Sequence, residues 1–129
     1  MAGKILIVDD EVHIRMLLEQ TLEDLEIDHG VLILSAANGE EGLDIIRRER
    51  PDVVFLDIMM PKLNGYEVCR KILEDPGLNG KCHIVLLTAK GQEVDRKQGL
   101  ELGAEQYMTK PFDPDEVLYT ARKLLGLSR

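Results

Sequence analysis

The chain has 129 residues, enough for one domain with a single good core and too few for two, so residues 1–129 are read as one domain. Hydrophobic residues make up 44% and charged residues 31%, which is globular composition and excludes a disordered chain. The net charge of -8 disfavours direct binding to nucleic acid, which calls for clustered Lys and Arg, and leaves a chain whose acids attract cations.

One Lys and no small-residue cleavage site precede the first apolar run, Ile5 to Val8, so no signal peptide is read and the expected compartment is the cytoplasm. That run is strand-sized, as are the others, and far short of a membrane span. Ile14, Leu17, Leu18, Leu22 and Leu25 follow at helical spacing, and Val31 to Leu34 read as the second strand, with its start left open by the stretch Glu26 to Gly30. Asn38 with Glu41 three residues on opens a second helix that Pro51 closes. Val53 to Leu56 form a third strand, and Asn64 with Glu67 opens a third helix that ends at Pro76-Gly77. After the strand Ile84 to Leu87 comes the weakest helix, near Glu93 to Leu102, with Gly103 as its left-handed stop. A weaker strand surrounds Tyr107. Asp113, Pro114 and Glu116 then open a fifth helix carrying Val117, Leu118, Ala121, Leu124 and Leu125, after which no output domain is expected. Cys69 and Cys82 lack any CxxC spacing and read as buried or idle thiols.

Strands apolar throughout, alternating with helices, imply an α/β fold: a doubly wound, five-stranded parallel sheet with helices on both faces. Ligands of such sheets bind outside the carboxyl ends of the strands. Those ends are polar here. The first finishes in Asp9-Asp10, the third in Asp57, the fourth in Thr88 and the fifth in Thr109-Lys110-Pro111.

Three carboxylates brought together repel unless a cation joins them, and an all-oxygen site with room for water suits magnesium better than zinc. His13, His29 and His83 are scattered and show no zinc-ligand spacing. A carboxylate can attack phosphorus to give an acyl phosphate, a step that needs alignment and neutralised charge. Asp57 is the natural nucleophile, because a charge ending the central apolar run has no structural excuse, while Asp9 and Asp10 sit paired like metal ligands. Lys110 would supply a positive charge and Thr88 a hydroxyl donor. Each residue alone has an ordinary reading: acids at a helix N-terminus, a surface lysine, a strand threonine. Asn64 and Gly65 read first as cap and turn.

Together these pieces resemble the receiver domains of two-component response regulators, of which CheY is the stand-alone type. The likeness spans nearly the whole chain: Ile5-Leu6-Ile7-Val8-Asp9-Asp10-Glu11, Asp57-Ile58-Met59-Met60-Pro61 with Asn64-Gly65, Thr88-Ala89, and Tyr107-Met108-Thr109-Lys110-Pro111-Phe112. The resemblance implies a flavodoxin-like strand order of 2-1-3-4-5 and a phosphoryl group carried on Asp57. That group would come from a sensor histidine kinase or phosphotransfer protein docking near the first helix. It further implies magnesium held by Asp9, Asp10, Asp57 and the Met59 backbone carbonyl. Thr88 would swing toward the phosphoryl group, Tyr107 would move inward, and Lys110-Pro111 would be cis. The altered surface of the fourth helix, fifth strand and fifth helix would address an output protein or domain, or a second copy of the chain. Met59 and Lys90, two residues after Asp57 and Thr88, would tune the phosphate lifetime; neither side chain aids hydrolysis, so a slow self-dephosphorylation is expected.

Such a module would assist its own phosphotransfer without being a turnover enzyme. A flavin-binding relative of the same sheet would want Ser, Thr and Gly after the first strand, where Asp9-Asp10-Glu11 would repel an anion. A haloacid-dehalogenase-type phosphatase needs an acid/base Asp two residues beyond its nucleophile, and that position is Met59. A receiver-like module that only binds would be expected to lack some of the acids or the lysine, and all are present.

Overall fold

A computed structural model describes residues 3–89 and 96–127. Five strands, β1 (Lys4–Val8), β2 (Leu32–Ala36), β3 (Val53–Asp57), β4 (His83–Ala89) and β5 (Ala104–Lys110), alternate with five helices. The helices are α1 (Val12–His29), α2 (Gly39–Glu49), α3 (Gly65–Glu74), α4 (Arg96–Glu101) and α5 (Pro114–Leu124). The strands form one sheet in the order β2-β1-β3-β4-β5, every pair parallel. The sequence expectation of fold class and strand order therefore holds.

Alternation along the inner strands splits the core into two layers. Leu6, Val8, Val54, Leu56, Ile84 and Leu86 face α2 and α3, while Ile5, Ile7, Val53, Phe55, Val85 and Leu87 face α1 and α5. α4 joins the first layer, where Leu102 and Tyr107 pack as partly buried members. Strands buried on both faces explain the unbroken apolar runs, and β5 reads weakly because, at the sheet edge, only Ala104 and Met108 of it are buried.

One boundary differs from the sequence reading. The second strand begins at Leu32 rather than Val31, because α1 continues through Glu26 to His29 and stops on Gly30 in the left-handed region at φ 68°. The Val31 N–H then donates to the Leu25 carbonyl, which spends Val31 on the helix cap instead of the ladder. Asp113 caps α5 with Pro114 in the first turn, as read, and its side chain accepts from the Asp115 N–H. Asn38 and Asn64 cap as read, each accepting from the N–H three residues later, and Asn64 forms a complete capping box with Glu67. Of the fourth helix, the stretch from Glu93 to Asp95 lies outside the described residues. Gly103, at φ 96°, follows it as read.

Gly65 does more than turn the chain. A Cβ there would lie 2.7 Å from the Asp57 carbonyl oxygen and 2.8 Å from Ile58 Cα, both main-chain atoms that have nowhere to go. Its N–H donates to the Ile58 carbonyl at 2.9 Å, so the start of α3 is pinned against the end of β3. Gly65→Ala is expected to lower stability by about 1–3 kcal/mol in urea denaturation, more than the ~1 kcal/mol of a lost cap at Asn64→Ala. Equal losses at the two positions would show that this close approach does not matter.

Candidate functional site

The parallel sheet delivers four strand ends to one edge, where three acids and a lysine meet. Asp9 follows β1 and is fully buried, Asp57 ends β3 at 4% exposure, and Asp10 is exposed at the mouth. Carboxylate oxygens from all three lie within 4.8 Å of one another. Lys110 ends β5 and turns back into this cluster, its Nζ 2.9 Å from Asp9 Oδ2, 3.6 Å from Asp57 Oδ2 and 3.4 Å from Glu11 Oε1. The Lys110-Pro111 peptide bond is cis.

Backbone donors fix the acids. The Glu11 N–H donates to Asp9 Oδ1 at 2.9 Å, and the Met59 N–H donates to Asp57 Oδ1 at 3.2 Å. Asp9 Oδ2 is buried and meets the Lys110 ammonium at 2.9 Å, with no other polar partner among the described residues. A buried acceptor left in that state favours a cation.

Burial pushes the Asp57 carboxyl up to about 7 from 3.8; Asp9 and Asp10 push the same way, and Lys110 and the Met59 N–H only partly offset them. Burial also works against the Lys110 charge, yet its contact with Asp9 and the nearby Asp57 and Glu11 hold the ammonium above its usual 10.5. The site therefore carries more negative charge than its one lysine balances, and its donors are oxygens alone. That donor set fits a hard divalent cation such as magnesium. Asp9, Asp10 and Asp57 are the side chains that would hold it, and no other cluster of acids, histidines or cysteines with that spacing occurs among the described residues. Burial raises Cys69 to about 12 and Cys82 to about 11, which leaves both thiols inert at neutral pH.

The remaining sequence candidates lie around the cluster. Thr88 sits near the end of β4, one residue past the β3–β4 partner of Asp57, and is buried; its Oγ1 lies 3.5 Å from the Ala89 carbonyl oxygen. Met59 projects its side chain into solvent at 57% exposure while its N–H serves Asp57. Tyr107 stands farther back on β5, half-buried, with its hydroxyl 3.4 Å from that of Tyr66. Lys90 falls outside the described residues. His13 and His83 pair with Glu11 and Glu105. Two contributors escaped the sequence reading. Glu11 is a counter-charge to Lys110 as well as a motif residue, and Arg15 donates to the Asp9 carbonyl at 2.6 Å. The run of three acids was the available signal for the first; the second, six residues on and one helical turn in, left none.

The family model for the response regulator receiver domain matches residues 5–122. The chain is 48% identical over 122 residues to a Guillardia theta protein described as "Probable transcriptional regulator ycf27", covering 95% of this chain and 45% of that one. It is 44% identical over 128 residues to the alkaline phosphatase synthesis transcriptional regulatory protein PhoP of Bacillus subtilis, covering 99% of this chain and 50% of that one. The solved structure of the chemotaxis protein CheY4 of Vibrio cholerae superposes with a TM-score of 0.82 at 30% identity, covering 97% of this chain and all of that one. The chain thus spans about half the length of the curated relatives it matches. It belongs to the response regulator receiver domain family of two-component systems. Among the described residues no helix is long and apolar enough to cross a membrane.

The Asp57 carboxyl holds its proton more tightly in the folded chain than its usual value of 3.8 allows, so unfolding releases that proton over the window from about 4 to about 7. Its contribution to stability is full below that window and lost as pH rises through it. Asp57→Asn, measured by urea denaturation with EDTA present, should match the native chain near pH 4. It should exceed it by about 2–4 kcal/mol at pH 7.5. A gain that does not grow with pH would remove this account.

Proposed function

We propose that Asp57 accepts a phosphoryl group from the phosphohistidine of a sensor histidine kinase or phosphotransfer protein, and that the acyl phosphate resets the surface of α4, β5 and α5. The observation that carries this reading is the nearly buried Asp57 carboxyl at the carboxyl edge of the sheet, flanked by two further acids and the Lys110 ammonium. A carboxylate oxygen of Asp57 forms the new O–P bond as the N–P bond of the donor breaks. The bonding pair leaves with the imidazole nitrogen.

The chain's own residues do the aligning. The Met59 N–H on Oδ1 fixes the carboxylate plane, Lys110 neutralises a phosphoryl oxygen, and the Thr88 hydroxyl donates to another once it turns away from Ala89. Asp9, Asp10, Asp57 and the Met59 carbonyl would hold magnesium. Bound there, it supplies the positive charge that favours the ionised acceptor and screens the incoming phosphate. Tyr107 reports the event to the α4, β5 and α5 face, where an output domain, a partner protein or a second copy would read it. Two relatives are described as transcriptional regulators, and by that likeness the output is control of transcription. The chain is a switch and not a turnover enzyme, since Met59 stands where a phosphatase of similar chemistry needs an acid. The Met59 side chain offers no group to activate water, so the acyl phosphate hydrolyses slowly.

Incubation with acetyl phosphate and magnesium, followed by intact mass measurement, tests the proposal. The native chain should gain one labile phosphoryl group, and Asp57→Asn and an EDTA-treated sample should gain none. Lys110→Ala should slow the gain at least tenfold. A native chain that takes no phosphate under any condition would leave a receiver-like module that only binds.

A further inference from the structure

α4 carries a glycine that its backbone does not call for. Gly99 is buried in the middle of that helix, and its φ is outside the left-handed region, so alanine would suit the helix better. Space explains the choice instead. A Cβ at position 99 would overlap the Tyr107 hydroxyl oxygen outright, and would lie 2.8 Å from Tyr107 Cζ and 2.8 Å from Leu86 Cδ1. The obstructing atoms are the outer end of a ring that can swing away about its side-chain bonds, not main chain. Tyr66, in the first turn of α3, brings its hydroxyl to 3.4 Å from that of Tyr107, long for such a pair and therefore a weak contact.

We propose that Gly99 and Tyr66 form a seat for the Tyr107 phenol, with Gly99 as a positioning residue, so that α4 and α3 together set the fraction of molecules in which Tyr107 lies inward. This rests on the phospho-switch reading given above. In that reading the phosphorylated state needs Tyr107 inward, and a seat already shaped for the ring keeps that arrangement populated before phosphate arrives. Emptying the seat lowers the competent fraction, and the apparent affinity for a phosphoryl mimic falls by the same factor. The nearest atoms to a Cβ at Gly99 belong to Tyr107 and Leu86, and the proposed effect runs through Tyr107.

The chain has three tyrosines and no tryptophan, which makes 3-fluorotyrosine labelling and fluorine NMR a direct readout. Tyr119, at 66% exposure, marks the position of a solvated phenol. In the unphosphorylated full chain, Gly99→Ala should move the Tyr107 signal toward that of Tyr119. Tyr66→Phe should move it in the same direction by less. With magnesium and beryllofluoride, a mimic of the acyl phosphate, Gly99→Ala should bind two- to tenfold more weakly than the native chain. In a Tyr107→Ala background the same substitution should leave beryllofluoride affinity unchanged, an outcome that a general loss of packing would not give. A Tyr107 signal unmoved by Gly99→Ala, or an unaltered affinity in the native background, overturns the proposal. If Gly99→Ala does not fold, Tyr66→Phe decides: a displaced Tyr107 signal supports the seat, and an unmoved one overturns it. Should the native chain itself take neither beryllofluoride nor acetyl phosphate, the phospho-switch reading fails. The fluorine signals of the unphosphorylated protein still judge the seat.

Discussion

Burying Asp9 and Asp57 side by side costs free energy that no neighbouring apolar contact returns, and a single lysine stands against them. The surrounding architecture answers to that imbalance. A parallel sheet is what brings residues 9, 57 and 110 to one edge, and its two-sided apolar cover is what keeps most solvent from relieving the repulsion there. Burial first, and then the neighbouring acids, raise the Asp57 carboxyl, and the same acids hold the Lys110 ammonium above its usual value.

From the charge cluster the structure works outward along β4 and β5. Thr88 and Tyr107 lie on these two neighbouring strands, and Leu86 is the register partner of Tyr107 while packing against the space at Gly99. The strand that carries Thr88 thus also supplies a wall of the space under α4. A small change of charge at the edge meets a layer where the ring of Tyr107 has a shaped place to go. Close-packed interiors respond to such changes by switching between discrete arrangements rather than deforming smoothly.

Much of this was legible in the sequence, for identifiable reasons. Asp57 stood out because a charge ends an apolar run, and Asn38 and Asn64 stood out because caps are local chemistry. Where tertiary packing decides, the sequence was silent or misleading. Val31 looks like a strand residue and is instead used in the α1 cap, since Gly30 lets the helix run to its limit. Glu11 has the look of a helix-start acid until Lys110, ninety-nine positions away, folds onto it. Gly99 and Tyr66 carry no sequence signal at all, because their meaning depends on where one hydroxyl falls in space.

Lys110 has a consequence for ion choice. Its ammonium is a tenant that cannot diffuse away, and at 12% side-chain exposure it is little weakened by dissolved salt. A sodium or potassium ion entering the cluster would bring one positive charge to carboxylates that already share one, at the cost of the ion's own hydration. A doubly charged ion brings what the tethered ammonium lacks. The lysine is thus a fixed counter-charge that any ion entering among Asp9, Asp10 and Asp57 has to meet, whatever the salt outside.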